Sequence, residues 1–411
     1  MKYILIIGDG MADDPVPELG GKTPLQYAKI PTMDALASAG ELGSVLTIPE
    51  GVAPGSDTAI LSIFGCDPRS YYAGRAPLEA AASGIVVPPG DAAYRCNMVT
   101  FEDSGATLDE KKLISHSAGS IEGADSDMII AELFETPVFK EAAKEAGMSI
   151  YPAASFRHIA VQRSADIENL ELIPPHNHLG EIVGELLPRG GNNAAVLEKL
   201  MRLAHEILNT HAVNMARRSE GKLPANGIWF WAEGIAIALP DFTDRYKKTG
   251  SVVSAVPLCR GIGTLIGLDG VVVDGATGDL YTNYEGKAEA AMKVIGTQDF
   301  AVVHIEAPDE CTHDGDIFGK VQAIEWIDSR VVSPIVERLQ GSGEDFRTLI
   351  MPDHRTLLST RGHDGAPVPY ILYDSRVDRR TGVSYSEESA KKHRYISDGT
   401  TLMDILFEAA Q

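Results

Sequence analysis

Acidic and histidine residues follow three apolar segments of the chain. Asp9 follows the run YILIIG, Asp309 follows AVVHIEAP, and the pair Asp353 and His354 follows TLIMP. If these segments are parallel strands of an open α/β sheet, their carboxyl ends lie at one edge, where ligands collect. We therefore expect the side chains to converge on one site.

The spacing within these segments suits metal binding. Asp309 and His313 are four residues apart and would share one face of a helix. Asp353 and His354 are adjacent, so their side chains diverge, and His363 follows in the Gly-containing sequence RGHDG. Mixed carboxylate and imidazole ligands suit Mn²⁺, Zn²⁺ or Mg²⁺. Two such ions about 3.5–4 Å apart would activate a nucleophile and stabilise charge on a transferring phosphoryl group.

Each cluster also has an ordinary interpretation. An Asp between two glycines commonly forms a turn, and an Asp/His pair four residues apart commonly lies on a solvated helix edge. The occurrence of all three clusters at strand ends favours the metal site.

Ser56 is the candidate nucleophile. It lies in APGSDTAILSIFG, where Pro54 and Gly55 turn the chain and Ser56 opens a helix. Ser is also a favoured helix N-cap, and that role is compatible with catalysis. A hydroxyl at a helix N-terminus is exposed beside backbone N–H groups that favour phosphate, and a metal ion can assist its deprotonation.

A negatively charged substrate requires cationic side chains, and arginine can bind a carboxylate or phosphate group through two hydrogen bonds. The best placed candidates are Arg75 in GRAPLEA, Arg157 with His158 in SFRHIAV, and Arg260 in PLCRGIG. Each of the arginines could instead be a surface residue that keeps the protein in solution.

Strand and helix patterns alternate at both ends of the chain. Strands are expected at 3–7, 44–48, 300–305, 347–351 and 368–373, and helices at 31–39, 56–64, 318–339 and from about 400. This order predicts an α/β fold with a mostly parallel sheet sandwiched by helices.

The middle of the chain lacks the catalytic clusters and is bounded by Pro- and Gly-rich sequence near 88–90 and 221–224. We predict a discontinuous catalytic domain, 1–84 with 225–411, interrupted by a smaller inserted α/β domain, 85–224.

The amino-acid composition limits the classes of molecule that the protein is expected to bind. The net charge of −22 disfavours binding to nucleic acid or anionic membranes, and no apolar run approaches the roughly 20 residues of a membrane span. The four cysteines are scattered without a CxxC pair, which fits reduced thiols in the cytoplasm. The sequence does not indicate an oligomeric state.

Several motifs together resemble one family. They are GDGMAD at 8–13, APGSDTA at 53–59, DPRSYYAGRAPLEAA at 67–81, NYEGKAEAA at 283–291, EAPDECTHDGD at 306–316 and PDH at 352–354. The chain resembles the archaeal type of cofactor-independent phosphoglycerate mutase, within the alkaline phosphatase superfamily. The match extends over nearly the whole chain and is weaker in the insert.

The resemblance implies interconversion of 3-phosphoglycerate and 2-phosphoglycerate through a phosphoserine, without free 2,3-bisphosphoglycerate. It implies two divalent metal ions, for which we expect Mn²⁺, with Zn²⁺ or Mg²⁺ as alternatives. It also implies that the insert holds glycerate between the two half-reactions. The two implied ligand sets are Asp9, Ser56, Asp353 and His354 for one ion, and Asp309, His313 and His363 for the other.

The chain departs from the family's pattern at Arg260, where many relatives carry Lys, and around Glu233, where relatives often place a basic residue. These departures leave the acceptor open. The alternative is a metal-dependent kinase for a small hydroxyl acceptor such as homoserine, although no GxxxxGKS loop is present. A metal phosphohydrolase is a further alternative.

Overall fold

The structure of the protein is a computed structural model that describes residues 1–72, 74–105, 107–153 and 155–408. These residues contain fifteen β-strands. In chain order they are β1 (Lys2–Gly8), β2 (Glu41–Val45), β3 (Ala92–Phe101), β4 (Leu113–Ser115), β5 (Met148–Tyr151), β6 (Arg157–Gln162), β7 (Gly227–Ile235), β8 (Gly250–Val253), β9 (Asp269–Val271), β10 (Phe300–Ile305), β11 (Phe346–Met351), β12 (Arg355–Leu357), β13 (Gly362–Asp364), β14 (Val368–Asp374) and β15 (Arg394–Ile396).

The α-helices of the described residues are distributed along the whole chain. In order they are α1 (Pro24–Tyr27), α2 (Pro31–Ala39), α3 (Ser56–Ile63), α4 (Pro68–Tyr71), α5 (Ala76–Ala82), α6 (Ala124–Glu135), α7 (Pro137–Glu145), α8 (Ala194–Leu208), α9 (Ala212–Ser219), α10 (Phe242–Tyr246), α11 (Pro257–Leu265), α12 (Tyr284–Thr297), α13 (Ala307–Asp314), α14 (Ile317–Ile327), α15 (Ser333–Ser342), α16 (Glu387–Ala390) and α17 (Leu402–Phe407). None of these helices has the length and apolar character that a bilayer span requires.

The chain divides into two compact units, 1–72 with 238–411, and 73–237. The first contains an eight-stranded sheet in the order β15-β2-β14-β11-β1-β10-β8-β9. Strand β14 alone runs against the others in this sheet, because it pairs antiparallel with both β11 and β2 while the remaining pairings are parallel. The predicted fold class, a mostly parallel α/β sheet between helices, is confirmed.

Helices cover both faces of this sheet. Strand β1 lies at its centre and is apolar on both sides, as parallel strands covered on two faces usually are. Ile4 and Ile6 pack into a core with Leu36 of α2 and Ile324 of α14. On the opposite face Tyr3 packs edge-on against Phe407 of α17, with ring centroids 4.9 Å apart.

The second unit has its own antiparallel sheet, in which β3 pairs with β4, β6 and β7, and β5 extends the sheet beyond β6. Helices α6 to α8 pack against it around a separate apolar core.

The limits of the second unit differ from those predicted from sequence, 85 and 224. Strand β7, over 227–235, pairs with β3 along 92–99, and α5, over 76–82, packs on both strands. These long-range pairings place both elements in the second unit, although Pro- and Gly-rich sequence separates each of them from the rest of it.

Candidate metal centre

The carboxyl edge of the large sheet gathers the three predicted clusters. Strands β11, β1 and β10 are adjacent and parallel, so the residues that follow them lie side by side. Asp9 follows β1, Asp353 and His354 follow β11, and Asp309 lies in the first turn of α13 after β10.

The turn after β1 requires a glycine. Gly10 has a positive φ of 60°, and a Cβ at this position would collide with Thr356 and Asp309. The backbone N–H of Gly10 donates to Asp353 Oδ1 at 3.3 Å. The sequence Gly-Asp-Gly therefore brings the first strand close to the groups that follow the other two.

Asp309, His313 and His363 form the outer part of the site. Asp309 Oδ2 lies 3.1 Å from His313 Nε2, one helical turn along α13, and Asp309 Oδ1 lies 3.5 Å from His363 Nε2. The two imidazole Nε2 atoms face each other at 3.0 Å. The three residues can offer one ligand atom each to a single ion, since these atoms lie within 4.8 Å of one another.

Asp9, Asp353 and His354 form the inner part of the site and are fully buried. His354 Nε2 lies 3.4 Å from Asp9 Oδ1 and 3.6 Å from Asp353 Oδ2. These two carboxylate oxygens are buried and accept no hydrogen bond from the described residues. Buried polar atoms in proteins normally have partners, so the two oxygens fit ligands of a cation. Asp309 links the two parts, because it also forms a group with Asp9 and His354.

Ser56 is the first residue of α3, and the N-cap position belongs to Gly55. The Ser56 hydroxyl therefore does not cap the helix. It lies 3.3 Å from Asp9 Oδ2 and 3.1 Å from His354 Nε2, at the inner part of the site.

Electrostatics of the site favour a bound cation. Burial, followed by the charges of Asp353 and Asp309, raises the pKa of Asp9 well above its ordinary value. Burial also opposes ionisation of Asp309, but hydrogen bonds from His313 and His363 outweigh it and hold the pKa of Asp309 below its usual range. The hydrogen bond to Asp309 raises the pKa of His313 to about 9. In the metal-free protein, protons thus offset negative charge that divalent cations would neutralise when bound. The carboxylate and imidazole groups of the site are suitable ligands for such cations.

Comparison with known proteins places the chain in a family. A 2,3-bisphosphoglycerate-independent phosphoglycerate mutase of Methanosarcina barkeri is 43% identical over 393 residues, which cover 95% of each chain. The chain belongs to this family. The family model described as 2,3-bisphosphoglycerate-independent phosphoglycerate mutase matches residues 37–214, which include Ser56 and most of the second unit.

Two solved structures have the same fold as this phosphoglycerate mutase family member. A protein of Pyrococcus horikoshii superposes with a TM-score of 0.80 at 29% identity, and covers 100% of this chain and 99% of its own. The cofactor-independent phosphoglycerate mutase of Thermoplasma acidophilum superposes with a TM-score of 0.65 at 26% identity, with 98% of each chain covered.

The arginines that the sequence predicts to bind anions are divided between the two units. Arg260 is in the first unit, on α11, and its Nη1 donates to the carbonyl oxygens of Ser254 and Ala255, just after β8. Arg75 is in the second unit and its Nε donates to Glu79 Oε1 at 2.8 Å. Arg157, also in the second unit, is exposed, and its guanidinium lies 4.4 Å from the centre of the Phe156 ring.

His158 is enclosed in the second unit. Its Nε2 lies 3.1 Å from Ser126 Oγ, and its Nδ1 accepts from the backbone N–H of Ala153. Burial lowers the pKa of His158 to about 4, so the ring is neutral near pH 7. A substrate contact by His158 would require one of these internal hydrogen bonds to break.

The sequence motifs do not single out His304, which lies near the end of β10. It is fully buried, and its Nε2 lies 3.1 Å from Asp9 Oδ2. The available signal was a single polar residue near the end of the otherwise apolar run FAVVHI, because a buried polar side chain needs a partner.

Proposed function

We propose that the protein interconverts 3-phosphoglycerate and 2-phosphoglycerate at two divalent metal ions, through a phosphoserine at Ser56. The observation that carries this proposal is the position of the Ser56 hydroxyl between Asp9 and His354, in a chain that belongs to this mutase family. Asp9, Ser56, Asp353 and His354 would hold one ion, and Asp309, His313 and His363 the other.

The reaction consists of two transfers of one phosphoryl group. Ser56 Oγ loses its proton and forms a bond to phosphorus as the bond to the 3-oxygen of the substrate breaks, and that oxygen gains a proton to give glycerate. The 2-hydroxyl of the retained glycerate then attacks the phosphoserine, loses its proton and regenerates Ser56. When bound, the two ions would lower the pKa of the Ser56 hydroxyl and neutralise the phosphoryl oxygens. We propose Mn²⁺, with Zn²⁺ or Mg²⁺ as alternatives, because carboxylate and imidazole ligands suit all three ions and the absence of thiolates gives no reason to prefer Zn²⁺.

An enolase-coupled assay tests this function. The purified protein, supplied with Mn²⁺ and 3-phosphoglycerate but no 2,3-bisphosphoglycerate, should form 2-phosphoglycerate. Parallel reactions should measure ATP-dependent phosphorylation of homoserine and release of inorganic phosphate. Absence of 2-phosphoglycerate would overturn the proposal, and activity in one of the parallel reactions would identify a kinase or a hydrolase instead.

We further propose that the second unit binds the substrate. Arg157 supports this role, because its side chain is exposed and its guanidinium lies near that of Arg95; partial desolvation and then the charge of Arg95 lower its pKa, and two neighbouring cations suit an anion. The four cysteines of the chain are buried free thiols, which supports a cytoplasmic location.

We expect Arg157→Ala to raise the KM for 3-phosphoglycerate by about 10- to 100-fold, because a hydrogen bond to a charged group contributes roughly 1.5–3 kcal/mol. Steady-state kinetics of the purified variant measures this change. Arg189→Ala, which removes another exposed arginine of the same unit, is the matched control and should leave KM unchanged. Equal KM values for the Arg157 variant and the wild type would exclude Arg157 as a substrate contact.

A further inference from the structure

Three polar residues from adjacent strands meet at the carboxyl edge of the large sheet. In the parallel pairing of β1 with β10, Ile7 is opposite His304, and in the pairing of β10 with β8, Val303 is opposite Val253. Ser254 therefore follows β8 beside His304, and Asp9 follows β1 on the other side. The three side chains form a row across adjacent strands.

Hydrogen bonds connect the row. His304 Nε2 lies 3.1 Å from Asp9 Oδ2, and His304 Nδ1 lies 3.2 Å from Ser254 Oγ. All three residues are almost completely buried. Once Asp9 is ionised, as a metal ligand must be, its carboxylate only accepts, so His304 Nε2 donates the hydrogen bond to Asp9 Oδ2 and His304 Nδ1 accepts from the Ser254 hydroxyl.

We propose that His304 is a positioning residue that fixes Asp9 so that the second carboxylate oxygen faces the inner metal ion. Asp9 Oδ2 receives the hydrogen bond, whereas Asp9 Oδ1 is buried and has no hydrogen-bond partner among the described residues. This inference rests on the proposed function, in which Asp9 is a metal ligand. Mutation of a residue that is hydrogen-bonded to a metal ligand typically lowers metal affinity by about 10- to 100-fold.

A direct role as a ligand is the competing possibility for His304. A nitrogen of His304 and carboxylate oxygens of Asp9 and Asp353 lie within 4.8 Å of one another, close enough to hold one ion. Ligation through Nε2 would, however, give up the hydrogen bond to Asp9. Nδ1 lies within hydrogen-bond distance of Ser254 Oγ, so each nitrogen has a partner within the protein.

The test compares three variants of the full chain. His304→Leu removes the hydrogen bond to Asp9, whereas His304→Gln keeps an amide N–H near the position of Nε2. Val302→Ala changes a fully buried residue two positions earlier on the same strand and serves as the control for a purely structural effect. Each is titrated with Mn²⁺ by calorimetry and with Co²⁺ by visible absorption, and circular dichroism checks the fold.

We expect His304→Leu to weaken binding of one of the two ions by 10- to 100-fold. His304→Gln should bind that ion within about threefold of the wild type, in line with a retained hydrogen bond, and Val302→Ala should bind both ions normally. The Co²⁺ spectrum of each fully loaded variant should match that of the wild type. Equal weakening in the Leu and Gln variants, or a changed Co²⁺ spectrum that reports a lost nitrogen ligand, would overturn the proposal. If His304→Leu does not fold, His304→Ala, which also removes the hydrogen bond to Asp9, takes its place in the comparison with the Gln variant.

The proposed function is judged separately, by 2-phosphoglycerate formation in the wild type. A wild type that binds two ions but lacks mutase activity would overturn the function and leave the role of His304 to be decided by the titrations. Normal mutase activity with unchanged metal affinity in His304→Leu would overturn the role of His304 alone.

Discussion

Ser56→Ala should reduce mutase turnover by at least about 10³-fold while the protein stays folded. Ser56 is the proposed acceptor of the phosphoryl group, and loss of a nucleophile is among the most damaging changes in enzymes that form covalent intermediates. The fold should tolerate the change, because Gly55 rather than Ser56 is the N-cap of α3 and Ala is favourable within a helix. Enolase-coupled kinetics measures turnover.

Ser62→Ala is the matched control for this substitution. Ser62 lies on the same helix and is fully buried, and its Oγ has no hydrogen-bond partner among the described residues. We expect this variant to keep near-normal turnover. In the wild type, mass spectrometry after quenching with substrate should detect one added phosphoryl group on the peptide that contains Ser56. Substantial mutase activity in Ser56→Ala would exclude Ser56 as the nucleophile.

Removal of the metal ions by a chelator should abolish turnover and lower the thermal midpoint, and added Mn²⁺ should restore both. Asp9 Oδ1 and Asp353 Oδ2 are buried without partners in the described residues, so the metal-free protein keeps two acidic groups close together and away from water. Ions that bind only the folded protein stabilise it by about 2.7 kcal/mol at a concentration of 100 times Kd. Differential scanning calorimetry with and without Mn²⁺ measures the shift, and an unchanged midpoint and turnover after chelation would contradict the metal site.

Metal affinity should also rise with pH between about 6.5 and 8.5. The pKa of His313 in the metal-free protein is raised to about 9 by the hydrogen bond to Asp309. Below that pH the ion must displace the imidazole proton, so affinity increases by up to about tenfold per pH unit and levels off near pH 9. With an ordinary histidine pKa near 6.5, the affinity would already be level over this range.

Calorimetric titrations in buffers of different ionisation enthalpy count the protons released when Mn²⁺ binds. The wild type should release at least one proton at pH 7.5. His313→Gln should bind the outer ion more weakly, and the affinity of that ion should depend less on pH. Affinity of the wild type that does not change from pH 6.5 to 8.5 would show that His313 is not protonated in the metal-free protein.

The main features of the candidate metal centre follow from the sequence. Asp9, Asp309, Asp353 and His354 come directly after apolar runs, and apolar runs of this length predict buried strands. A mostly parallel sheet then brings their carboxyl ends together. The i, i+4 spacing of Asp309 and His313 is local, and the structure has both residues on α13 with their polar atoms 3.1 Å apart.

Other features depended on contacts between distant parts of the chain. The limits of the second unit follow from the pairing of β7 with β3, which joins residues 227–235 to residues 92–99. The setting of His158 depends on Ser126, which lies 32 residues earlier in the chain. Neither contact leaves a local pattern in the sequence, because each joins residues that are far apart in the chain and come together only when the unit folds.

The sequence by itself determined which residue types stand at the ends of the strands, and therefore that a metal and phosphoryl-transfer site was expected. The tertiary structure alone decided how these residues are arranged. It placed β1 between β11 and β10, which brings Asp9 beside both His354 and His304. The physical reason is that hydrophobic periodicity identifies strands from neighbouring residues, whereas strand order and register depend on hydrogen bonds between segments about 300 residues apart.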